Sequence, residues 1–278
     1  MELRRLSVRH PFPAPILMII DTHCHFNNAR FAEDLSECLQ RAQEAGVTQM
    51  IVVGYDLPSS EQAVALAEAY PGTLSAVVGV HPHDAKTWNT KCRSRLRALA
   101  ERECVVALGE IGLDFHYDFS PRPAQYEAFR AQMALAHELA LPVVIHCREA
   151  YPETLDVLEQ ENVTALGGVM HCWAGTLEEA ERTVALGMHL GFGGVLTFKN
   201  AENVRDTARH IPADRLLLET DAPYLAPMPF RGKRCEPVHT ALVAARLAEL
   251  RGLSLAALAE LTTANARRLF ARLASPAL

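Results

Sequence analysis

Eight short runs of β-branched and other apolar residues recur along this chain, each followed by a longer stretch with helical periodicity. That alternation restricts the fold more than any other feature. The strands it predicts are Ile16–Ile20, Gln49–Val53, Ser75–Gly79, Val105–Gly109, Pro142–Ile145, Gly167–Met170, Met188–Phe192 and Leu216–Leu218. Helical patterns fall near Phe31–Glu44, Ser59–Tyr70, Arg93–Arg102, Arg122–Leu139, Pro152–Gln160, Leu177–Leu186 and Ala201–His210, then Pro237–Arg251, Leu255–Leu261 and Asn265–Leu273. Strands that read as unbroken apolar runs are buried on both faces, which belongs to parallel sheets covered by crossover helices. Eight units of about 35 residues predict closure into a single-domain (β/α)₈ barrel of the TIM type. An open doubly wound sheet is the runner-up, and it would gather ligands at one switch point rather than at many strand ends.

Composition narrows the class of protein. The chain is 49% hydrophobic and 22% charged, as soluble globular proteins are. Seven cysteines without a CxxC pair, in 278 residues, point to a reducing compartment, so a cytoplasmic protein is expected. A formal charge of −6 argues against a basic coat over the whole surface, although it permits a local basic patch. No stretch approaches the ~18 apolar residues of a membrane span. Arg4 and Arg5 superficially suggest an export signal, but Pro11, Pro13 and Pro15 interrupt the apolar stretch after them. Residues 1–17 are therefore expected to be a disordered extension or to precede a start at Met18, with the barrel over residues 18–275.

Candidate metal ligands follow the apolar runs, where a barrel builds its site. In IIDTHCHF, His23 and His25 are one residue apart and in extended backbone project to one face, with Asp21 expected one layer deeper to orient a ring. Glu110 comes directly after the fourth run, in ALGEIGLD, where an unpaired carboxylate inside the mouth is costly and a cation removes the cost. His146 and His171 each end a strand, and at equivalent strand ends they are read together. Their neighbours Cys147 and Cys172, like Cys24, then point toward the helices and are packing residues. In LLLETDAPYLAP, Asp221 is placed to complete the coordination and to accept a proton from water, with Glu219 behind it. The next loop carries Arg231, Lys233 and Arg234, suited to phosphate oxygens. GVHPHD adds His81 as a phosphate or leaving-group contact and leaves His83 at the periphery.

Taken in order, IDTHCH, GVHP, GEIGLD, LPVVIHCR, HCWAG, ETDAPYLAP with RGKR, and NARRLF make the chain resemble the TatD family of metal-dependent deoxyribonucleases, over residues 18–273. The resemblance implies a two-metal phosphodiesterase with 3′→5′ exonuclease activity on DNA, linked to DNA repair or degradation. It implies that His23, His25 and Asp221 hold one divalent ion, that His146 and His171 hold the other, and that Glu110 bridges them. The ions would be Mg²⁺, Mn²⁺ or Zn²⁺. Asp221 would be the general base, with Glu110 also essential to catalysis, and His81, Arg231 and Lys233 would position phosphate. The expected partner is the 3′ end of single-stranded or frayed DNA, and the chain is expected to be a monomer. Departures from the family pattern include Cys235 after RGKR and Trp173 within HCWAG, the latter a candidate base-stacking platform. A small-molecule amidohydrolase and an aminoacyl-tRNA deacylase are alternatives on the same barrel, since fold does not decide function. A catalytically idle binding protein is disfavoured because buried charges without a metal or partner are costly.

Overall fold

The structure is a computed structural model that describes residues 17–274. The expectations for residues 1–16, the N-terminal extension and Ile16 as a strand start, lie outside the described residues. Eight parallel strands run in the order of the sequence, β1 Ile19–Cys24, β2 Val47–Val53, β3 Leu74–Val78, β4 Val105–Asp114, β5 Val143–Arg148, β6 Gly168–Met170, β7 His189–Phe192 and β8 Leu216–Leu218. The first and last strands close through a parallel bridge between Cys24 and Ala222. Asp221 N–H donates to the His23 carbonyl at 2.9 Å and the Thr22 hydroxyl to the Leu218 carbonyl at 3.0 Å. The barrel, rather than the open sheet, is the fold.

Helices α1 Leu35–Glu44, α2 Leu57–Ala69, α3 Thr90–Ala100, α4 Arg122–Leu139, α5 Tyr151–Gln160, α6 Leu177–Ala185, α7 Glu202–His210 and α8 Thr240–Arg251 form the outer layer. The last helix, α9 Leu255–Leu269, is continuous where the pattern predicts two pieces. Thr262 in its middle turns its hydroxyl back to the Leu258 carbonyl, so a polar β-branched residue that reads as a break is satisfied inside the helix.

The core has two parts. A large cluster fills the space between strands and helices, while a smaller one, with Ile20, Val53, Val77, Val144, Val169 and Leu217, fills the barrel interior and packs on Phe270 just after α9. The lower end of the barrel is thus plugged with apolar side chains, and polar residues lie toward the carboxyl ends of the strands.

Two strands run further than their apolar residues suggest. β1 continues through Thr22 and His23, and β4 continues five residues beyond Gly109, pairing Ile111 with Ile145 and Asp114 with Arg148. Each has a register shift, between Asp21 and Cys24 in β1 and between Leu108 and Ile111 in β4. Gly112, just beyond the second, has φ +142° and lies so close to β5 that a Cβ would sit 1.9 Å from the His146 carbonyl oxygen.

Candidate metal centre at the barrel mouth

The six dispersed candidate ligands meet in one place. His25 just after β1, Glu110 from β4, His146 from β5, His171 directly after β6 and Asp221 beyond β8 line the floor of a cavity of about 710 Å³ at the carboxyl ends of the strands, with His23 of β1 buried directly beneath them. Glu110 stands at the centre: its Oε2 is 3.5 Å from His23 Nε2, and its Oε1 is 2.9 Å from both His146 Nδ1 and His171 Nε2. On the other side, His23 Nε2 and His25 Nε2 are 3.3 Å apart, and Asp221 Oδ1 lies 3.8 and 3.4 Å from them. Asp221 adopts a left-handed backbone at φ +59°, which a short acidic side chain tolerates, and hydrogen bonds to His23 and Tyr224 hold it there.

Acceptors stand behind three of these rings. The Val53 carbonyl, which can only accept, takes a hydrogen bond from His25 Nδ1 at 2.9 Å, so in the neutral ring Nε2 is a bare lone pair aimed at His23 and Asp221. His146 lies between two carboxylates, its Nε2 3.0 Å from Asp114 Oδ2 and its Nδ1 2.9 Å from Glu110 Oε1, so Asp114 supplies an acceptor on the side of the ring away from Glu110. Glu219 Oε1 lies 3.5 Å behind His171 Nδ1. Imidazole nitrogens and carboxylate oxygens therefore converge on one place, an arrangement that a cation satisfies. The electrostatics of these groups point the same way, toward positive charge at the site. Burial pushes Glu110 up, yet His171, His81 and His146 outweigh it and hold the carboxyl well below its usual range. Burial pushes His146 down, yet Asp114 and Glu110 outweigh it and raise it. The donor set of four imidazoles and two carboxylates suits Zn²⁺, Mn²⁺ or Mg²⁺.

His81 also faces Glu110, its Nε2 3.6 Å from Oε1. Its Nδ1 accepts the His83 backbone N–H at 3.1 Å, so the neutral ring presents an N–H donor to the site rather than a lone pair. Burial keeps it neutral by pushing its pKa well below the usual histidine value.

Other predicted residues sit elsewhere. Asp21 does not orient a histidine ring. Ile20 faces the barrel interior, so Asp21 faces outward, where it accepts hydrogen bonds from Thr220 and from Thr240 at the start of α8. The register shift beyond Asp21 breaks strict alternation and lets His23 turn in. Trp173 is 1% exposed, packed edge-on against Tyr151 with its indole N–H near Thr207, and has no free face for a base. Arg231 and Lys233 are exposed and outside the cavity lining, with Arg231 4.4 Å over the Phe198 ring. Arg234 is engaged by Asp34 and Glu236. Cys24, Cys147 and Cys172 are free thiols whose pKa values burial raises, that of Cys147 to about 12, so none is a ready thiolate ligand.

Sequence reasoning missed Asp114. It lies in GEIGLD four residues after Glu110, on the same strand, and its Oδ2 receives both His146 Nε2 and His83 Nε2 at 3.0 and 2.9 Å. An extended reading of β4 would have found it by parity with Glu110. Arg148 at the end of β5 also lines the cavity, as do the aromatic rings of Tyr55, Tyr117, Phe119 and Tyr224 from loops that carry no periodic signal.

Comparison with known proteins places this geometry. The family described as TatD related DNase matches residues 20–271. The chain is 43% identical over 253 residues to an uncharacterized metal-dependent hydrolase, YabD, of Bacillus subtilis, covering 91% of this chain and 99% of that one. It is 44% identical over 265 residues to a 3′-5′ ssDNA/RNA exonuclease, TatD, of Cronobacter sakazakii, covering 93% and 100%. Among solved structures, the TatD homologue YJJV of Escherichia coli superposes with a TM-score of 0.86 at 36% identity, over 92% of this chain and 99% of that one. No helix among the described residues is long and apolar enough to cross a membrane.

Proposed function

Because the chain belongs to the TatD-related DNase family of metal-dependent hydrolases, we propose that it is a 3′→5′ exonuclease acting on single-stranded or frayed DNA ends, using two divalent ions. The observation that supports this reading most is the convergence of imidazole nitrogens on Glu110 and Asp221. His23, His25 and Asp221 would hold one ion, His146 and His171 the other, and Glu110 both. Divalent ions in such a set polarise a phosphodiester and make water nucleophilic near neutral pH. Asp221 supplies the proton acceptor. Burial pushes its carboxyl up, but His25 and then His171 outweigh this and keep it ionised, with its side chain still 14% exposed toward the cavity. The His81 Nε2–H donates to a phosphate or leaving oxygen as the P–O bond breaks. Arg148 lines the cavity and adds positive charge there, while Arg231 and Lys233 contact phosphates further along the strand. Local cations of this kind reconcile nucleic-acid binding with a net charge of −6. Removal of damaged or unwanted DNA ends is the role that fits, in repair or degradation.

The test is digestion of a 5′-labelled single-stranded oligonucleotide with Mg²⁺, Mn²⁺ or Zn²⁺ supplied in turn. Stepwise shortening from the 3′ end, stopped by a chelator, is expected. No digestion with any of the three, alongside hydrolysis of an amide or an aminoacyl ester, would replace this reading with one of its alternatives.

A further inference from the structure

The cavity above the ligands has aromatic walls that the hydrolytic chemistry does not use. On one side Tyr117 and Phe119 stack with ring centroids 5.1 Å apart and planes 13° apart, yet they are 46% and 57% exposed. Tyr224, across the site beyond Asp221, is 45% exposed. A soluble protein has little reason to leave three large rings in water around one cavity unless they meet a ligand. Each wall is anchored to the metal centre. The Tyr117 backbone N–H donates to Asp114 Oδ1, whose other oxygen holds His146, and the Tyr224 N–H donates to the Asp221 carbonyl. The Arg148 guanidinium lies 4.7 Å over the Tyr117 ring, so a cation stands beside the aromatic surface.

We infer that Tyr117, Phe119 and Tyr224 form a stacking cleft for the base of the nucleotide at the 3′ end, with Arg148 on its phosphate side. This rests on the exonuclease reading above and adds the element that selects an unpaired end. Aromatic faces next to a cation bind the π-face of any base with little sequence preference, which suits a strand degraded one nucleotide after another. A base in such a cleft has left its duplex partner, so paired ends are processed only as fast as they fray.

The experiment uses the metal-loaded full chain and two single-stranded DNA oligonucleotides, identical except that one ends in a 3′ abasic nucleotide. The wild type is expected to prefer the base-bearing end by about tenfold or more in kcat/KM, in line with stacking on aromatic side chains. In Phe119→Ala and Tyr224→Ala that ratio should collapse toward one. A 3′-terminal 2-aminopurine should be quenched on binding to the wild type and not by the variants, a readout independent of turnover. A base-over-abasic ratio and a quench that survive in both variants would overturn the inference while leaving the exonuclease reading intact. Failure of the wild type to cleave either strand would remove that reading, and this inference with it.

Discussion

At the residue scale, one carboxylate connects more of the site than its position in the sequence suggests. Asp114 is fully buried, with Oδ2 on His83 and His146 and Oδ1 on the backbone N–H groups of His116 and Tyr117. By accepting from His146 Nε2 it favours the tautomer in which Nδ1 would be free to bind a cation. Asp114→Asn keeps the shape but puts a donor where His146 needs an acceptor, and the expected result is a roughly 10- to 100-fold loss of metal affinity, measured by calorimetric titration. The six candidate ligands, which the fold brings together, were legible because each follows or ends an apolar run. Asp114 was not, because five residues of β4 beyond Gly109 are mixed in character, and only pairing with β5 makes them strand. Trp173 shows the opposite error: an aromatic residue beside a ligand reads as a platform, and burial shows that it is core.

Elements around the mouth are tied together by charge. Arg234, in the loop after β8, pairs with Asp34 just before α1 and with Glu236, while Arg41 of α1 reaches the same two carboxylates. Asp34, Cys38 and Glu236 form a group able to hold a cation in principle, but the two guanidiniums already occupy it. A basic loop beside a metal site reads from sequence as phosphate-binding throughout. The structure divides it, with Arg234 engaged by the protein and Arg231 and Lys233 facing solvent. The pairs are about a third exposed, so solvent screening reduces their worth to about 1 kcal/mol. Arg234→Ala should lower the melting temperature by ~2–4 °C. It should leave the salt dependence of DNA binding as in the wild type, whereas Arg231→Ala with Lys233→Ala should flatten that dependence in a filter-binding assay.

Across the whole molecule, chemistry and stability occupy opposite ends of the barrel. Near the lower end, His189 at the start of β7 is 4% exposed, and burial, with Arg215 and Arg268 nearby, pushes its pKa down to about 4. An imidazole depressed in the folded chain contributes no penalty above the unfolded value near 6.5 and costs stability as the pH falls toward 4, by up to about 3 kcal/mol. Urea denaturation of the wild type should therefore weaken between pH 6.5 and 4 more steeply than that of His189→Gln. The architecture was legible as a count of eight alternating units, because strands buried on both faces and helices buried on one differ in period and length. Boundaries were less so, since closure of β1 on β8 depends on hydrogen bonds of Thr22, Asp21 and Thr220 that no periodicity records.

Glu110 would join two cation sites in one centre, and titration of chelator-stripped protein with Mn²⁺ tests this most directly. Two ions per chain in the wild type, with both sites weakened in Glu110→Gln, is the predicted result; a single ion, or two that bind Glu110→Gln as they bind the wild type, would contradict it.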